Sequence, residues 1–188
     1  KKKLNYVKKN EINLIIKNNS KTLNKIKILP NKNIHFISDL SKLKKINFDF
    51  IFVTIKLINK IDLDIKKIKR LMSNKTSVVM PCTILPNWWL NQYSKYKINQ
   101  IIPINKIIGM TMWVSGIMKE NNVTIKHTQR GYPLKEIDKK NKLSAYKLRR
   151  IIRNKSKSPL VKNIYSEIYL KVINSFAFNL VAIKYDQN

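Results

Sequence analysis

Three polar residues at helical spacing are the clearest candidates for chemistry in this sequence. Lys171, Ser175 and Asn179 follow one another at four-residue intervals, so a helix brings an ammonium, a hydroxyl and an amide onto one face. Their neighbours Val172, Ile173, Phe176, Ala177 and Leu180 are apolar. A polar stripe on so apolar a helix is costly unless it lines a cleft. Lysine suits such a place, because burial can lower its pKa toward neutrality. Lys and Asn are abundant here, so a solvated face is the competing reading. Asn174 stands one position off the stripe.

Two further candidates sit at strand ends. Lys56 follows the apolar run at 50–55, and Thr83 follows the run at 78–80 that Pro81 closes. In open α/β sheets ligands gather at the carboxyl ends of the strands. The plainer alternatives are an ordinary solvated lysine and a residue that merely ends a strand. Cys82 reads as a small buried residue and His127 as structural. Trp88 and Trp89 read as loop packing, and Glu136 with Lys135 as a strand end. One cysteine and two histidines exclude a disulfide framework and a thiolate-rich or His-based metal centre, so no metal is expected.

The elements that must position these residues can be read from periodicity. A short helix is expected at 4–7, strands at 12–16, 25–29 and 34–37, a turn at 18–20 and a helix at 40–46. The run at 50–55 reads as a strand buried on both faces of a parallel sheet. Ile61, Ile65, Ile68 and Met72 give helical spacing, and 77–80 is another buried strand. A further strand is expected at 107–114, an antiparallel one at 123–128, and a helix at 144–152 that is rich in Lys and Arg. Ser158 and Pro159 carry the start signal of a long helix over 161–183. Strand, helix, strand in this order argues for βαβ units.

Composition narrows the class. The chain has 188 residues and a formal net charge of +29. Charge alone points to nucleic acid. However, 34 Lys, 23 Asn and 30 Ile make up nearly half the chain against only five Arg. Those three residues share A/T-rich codons, so the charge reads mainly as codon bias. The basic residues scatter and the aromatics fall inside apolar runs, which argues against a nucleic-acid module. A 44% hydrophobic content supports a packed core. No apolar run approaches the ~20 residues that span a bilayer, and no signal peptide opens the chain, so a cytoplasmic protein is expected. Neither end carries a polar, turn-rich tail, so the chain is expected to be incomplete at both ends.

Four segments in order resemble the ketopantoate reductase (2-dehydropantoate 2-reductase) family. They are Asp49 to Lys56; Val78 to Trp89; Ile107-Ile108-Gly109 with His127 and Pro133-Leu134-Lys135-Glu136; and Ile164 to Lys171 leading to Ser175 and Asn179. The resemblance implies an α/β, Rossmann-like parallel-sheet domain that lacks its first βα unit, followed by the start of an all-helical domain. The boundary falls between 1–157 and 158–188. It further implies NADPH-dependent reduction of 2-dehydropantoate to pantoate, with Lys171 as general acid. Ser175, Asn179 and Asn174 would touch the small 2-keto acid, and Lys56 and Thr83 the cofactor. A homodimer of the full-length protein, and no nucleic-acid or membrane partner, go with it. Thr83-Ile84 replaces the family's Asn-Gly turn, and the family's Gly-x-Gly-x-x-Gly turn is absent from these residues. The piece alone is therefore expected to be inactive. The alternatives are a truncated, non-catalytic reductase or a basic nucleic-acid-binding module.

Overall fold

A computed structural model describes residues 12–18, 21–28, 37, 40, 43, 47–54, 62–81, 102–119, 122–154 and 156–185. The helix expected at 4–7, most of the strand at 34–37, most of the helix at 40–46, and Lys56, Cys82, Thr83, Trp88 and Trp89 lie outside the described residues. The chain divides into two compact units. One comprises residues 1–45 and 113–131, the other 46–112 and 132–188.

The first unit is a four-stranded sheet in the order β2-β1-β7-β6. β1 (Ile12–Asn18) and β2 (Lys21–Ile28) form an antiparallel pair, with a bulge between Ile16 and Lys17. β1 also runs parallel to β7 (Asn122–Gly131), which pairs antiparallel with β6 (Trp113–Lys119). A second bulge follows Trp113, whose buried ring lies 5.3 Å below the Arg130 guanidinium. Such a contact attracts the cation to the negative face of the ring.

The second unit holds the parallel sheet. β3 (Phe50–Phe52), β4 (Ser77–Pro81) and β5 (Ile107–Met110) are parallel, and β8 (Leu134–Glu136) adds an antiparallel edge. Helix α1 (Asp62–Leu71) links β3 to β4, the crossover that parallel neighbours require. β4 has a strand on either side, and Ser77, Val78, Val79 and Met80 are all buried. Val79, Ile108, Met110 and Leu134 of the sheet meet Ala145 and Leu148 of helix α2 (Lys142–Arg153) in one core cluster. Tyr132 packs against it, and burial pushes its phenol pKa up.

Polar groups tie the sheet's amino-terminal side together. Thr76, fully buried, donates its hydroxyl to the Phe48 carbonyl at 2.7 Å. Ser77 donates to the Asn141 amide oxygen at 2.9 Å, joining β4 to the turn that starts α2. Lys147 on α2 pairs with Asp49 at 2.9 Å. Both groups are more than half exposed, so solvent screens the pair and it adds little stability.

Three expectations need correction. The run at 50–55 is not a strand buried on both faces. It pairs over only three residues, and Phe52 is 45% exposed, because β3 is the outermost strand among the described residues. The single strand expected at 107–114 is two. β5 ends at Met110, where the Thr111 N–H turns to the Pro133 carbonyl, and β6 begins in the other sheet. The long helix does not begin at Ser158-Pro159. α3 runs from Ile164 to Lys184, and Asn163 caps it by accepting from the Tyr165 N–H at 2.9 Å. Ser158 is buried and donates instead to the Tyr132 carbonyl.

Candidate active site

Helix α3 positions the sequence's leading candidates, and its own burial pattern sets which of them face the protein. Ile164 and Ile168 are 2% and 0% exposed. Continuing their spacing along the helix reaches Lys171 and Ser175, both half-buried. Lys171 thus stands one turn beyond the last residue that the core fully encloses. Asn174 is half-buried too, whereas Asn179, a further turn on, is exposed. The structure therefore brings Lys171, Asn174 and Ser175 together on the inward side and leaves Asn179 outside it.

The root of this helix lies against the parallel sheet where β5 carries a glycine. A Cβ on Gly109 would meet Ile164 side-chain carbons at 3.0 and 3.3 Å and Ile137 at 3.1 Å. Those distances are tighter than ordinary packing, so a side chain there would push Ile164 and Ile137 back by a few tenths of an ångström. Gly109 is also the penultimate residue of a parallel strand, close to the edge at which open α/β sheets hold ligands. Lys56 and Thr83 follow β3 and β4 in the sequence and lie outside the described residues.

The other singled-out residues fall elsewhere. His127 occupies β7, opposite Val114 in the first unit. Glu136 ends β8, while the Lys135 ammonium beside it donates to the Lys162 carbonyl at 2.7 Å. Among the described residues, no three His, Cys, Asp or Glu side chains converge to hold a metal ion. No helix among them is long and apolar enough to cross a membrane. Sequence reasoning passed over the Gly109 contact as a positioning device. Its signal was present, since Gly109 interrupts an otherwise apolar strand, and glycine there often marks close approach.

The sequence matches no family model and no curated protein. Solved structures share the fold. A proposed ketopantoate reductase from Ralstonia solanacearum MolK2 superposes with a TM-score of 0.67 at 15% identity, over 97% of this chain and 57% of that one. Dimeric ketopantoate reductase from Staphylococcus aureus gives 0.58 at 15% identity, over 95% and 58%. D-mandelate dehydrogenase, in a ternary structure with NADH and anilino(oxo)acetate, gives 0.60 at 18% identity, over 89% and 49%. The chain thus spans about half the length of these neighbours. At such identities the likeness establishes the fold, an α/β, Rossmann-like arrangement of a mainly parallel sheet with helices.

Proposed function

We propose that this chain belongs to an NADPH-dependent reductase that converts 2-dehydropantoate to pantoate, a step toward pantothenate and coenzyme A. The observation that carries the reading is Lys171. It follows the buried Ile164 and Ile168 on the inward stripe of α3, in a fold shared with ketopantoate reductases. In this reading residues 1–157 are part of a dinucleotide-binding domain, and 158–188 open a helical domain. The full-length protein is a cytoplasmic homodimer.

Reduction of a 2-keto acid requires a proton on the carbonyl oxygen as the carbon gains hydride. The Lys171 ammonium polarises that carbonyl and donates the proton to the developing alkoxide, after which water recharges the amine. Asn174 and Ser175, half-buried beside it, hydrogen-bond the acid's polar groups. Asn179 completes the stripe once its end of the helix is covered.

A nicotinamide cofactor supplies the hydride when bound. The glycines present test whether these residues cradle its pyrophosphate. Gly109, Gly116 and Gly131 are the three in the chain, and none is spaced as Gly-x-Gly-x-x-Gly. Gly109 is taken up by packing under Ile164, and Gly131, with φ 61°, ends β7. These residues do not build the cradle. The cofactor contacts proposed for this chain are therefore limited to Lys56 and Thr83.

The deciding experiment is NADPH oxidation by the full-length protein with 2-dehydropantoate as substrate. Lys171→Ala is expected to lower kcat by about 10²–10⁴-fold. Lys171→Arg should fail to restore it, because a guanidinium does not release its proton in this pH range. An unchanged rate in Lys171→Ala removes that residue from the role. No NADPH oxidation with any 2-keto acid removes the reductase reading itself.

A further inference from the structure

Arginine is scarce in this chain, and its placement is not random. Three of the five arginines, Arg149, Arg150 and Arg153, lie in the last turns of α2. Cations there complement the helix dipole, but lysine would do so equally well, and the chain has 34 of them. The dipole does not explain why arginine was used three times. All three line one cleft of about 250 Å³, together with Tyr146 and Asn154.

A second cavity of about 400 Å³ adjoins this cleft and shares Tyr146 and Arg149 with it. Its walls are apolar: Leu134 of β8, Leu143 and Ala145 of α2, and Leu160 and Val161 of the segment before α3. Leu143 and Leu160 are 85% and 80% exposed, a cost that an apolar occupant would remove. Lys142, Tyr146, Arg149 and Arg153 follow one another at helical spacing, so the two cavities run end to end along one side of α2. Arg149 at their junction is held by its Nε–H, which donates to the Ser158 carbonyl at 2.8 Å. Around the whole groove stand Lys135, Lys142 and the three arginines, against the single carboxylate of Glu136.

We propose that this groove binds an organic phosphate with an apolar body, the phosphate among the arginines and the body in the wide apolar end. A guanidinium presents paired N–H donors that match two phosphate oxygens at once, which an ammonium cannot do. The excess of cations selects an anion, and the apolar walls select an amphiphile over a bare ion. The ligand is either a free alkyl or aryl phosphate or the head and first carbons of a phosphate-bearing lipid. The proposal does not depend on the reductase reading.

Calorimetric titration of the 188-residue chain with octyl phosphate, inorganic phosphate and octanol tests it. Octyl phosphate is expected to bind at least about tenfold more tightly than either alone, since only it engages both ends of the groove. Combined Arg150→Glu and Arg153→Glu should weaken it by at least about tenfold, and Leu160→Asp should weaken it as well, with unchanged circular dichroism. If charge reversal disturbs the helix, the Arg150→Gln and Arg153→Gln pair carries the same expectation. Lys75→Glu with Lys184→Glu removes equal charge elsewhere, and Ile173→Asp alters the exposed face of α3; neither should change binding. Co-sedimentation with phosphatidylcholine–phosphatidate vesicles that is lost in the arginine variants identifies a lipid as the ligand. Octyl phosphate binding without co-sedimentation identifies a free organic phosphate. Equal affinity for octyl and inorganic phosphate, indifference to the arginine variants, or loss in Ile173→Asp overturns the proposal.

Discussion

The two ends of α3 are made of similar residues and live in different surroundings. At its root Ile164 and Ile168 are buried, Ile164 beside the strand position where Gly109 carries no side chain. Past Lys171, residues just as apolar stand in solvent: Ile173 at 64%, Phe176 at 63%, Phe178 at 67% and Ile183 at 77%. The helix continues through both, with its ladder of backbone hydrogen bonds and a cap at each end. Packing therefore fixes where α3 begins, while the described apolar side chains of the tip are largely exposed. Lys171 occupies the border, held by the root and reachable from outside.

Substitutions at the two ends should part sharply. Ile168→Ala removes a fully buried side chain, and about 2–5 kcal/mol of stability should be lost in a denaturant titration. A smaller cost at this position would mean that the root is looser than its burial suggests. Gly109→Ala places a carbon against Ile164 and Ile137, and overpacking of this kind costs about 1–3 kcal/mol. Ile137→Val in the same chain removes the Cδ1 that the new carbon would meet at 3.1 Å and should recover part of that loss, which distinguishes a steric cause from an effect on the strand. Phe178→Ser at the tip should leave stability within about 0.5 kcal/mol of the starting protein, since the ring is exposed. A large loss there would erase the contrast and show that the tip is packed after all.

Much of the framework was legible in the sequence because it is local. The run Ser77-Val78-Val79-Met80 announced a buried strand, and the spacing of Ile61, Ile65, Ile68 and Met72 announced α1 within a residue at each end. The errors arose where a distant partner overrode a local signal. Ser158 has the identity of a helix cap, but its hydroxyl is committed to Tyr132, so the capping passes to Asn163. Thr111-Met112-Trp113-Val114 are all good strand residues, and nothing in them marks the change of sheet; the Pro133 carbonyl does that. For the candidate site, the i, i+4 spacing correctly put Lys171 and Ser175 on one face. The same spacing did not foretell that Asn179 would emerge into solvent, because a helical wheel carries no information about where the neighbouring core ends.

The position of β3 bears on solubility. A strand of Phe50-Ile51-Phe52 at the rim of the described sheet, with Phe52 turned outward, is a template on which another extended segment can pair. Proteins usually guard such a rim with lysines or proline inside the strand, and this strand contains neither. Here the guard is collective: copies carrying +29 each repel one another before their rims can meet. Salt shortens the reach of that repulsion to about 10 Å at 0.1 M, so raising the ionic strength is expected to favour pairing of copies of this chain at that rim.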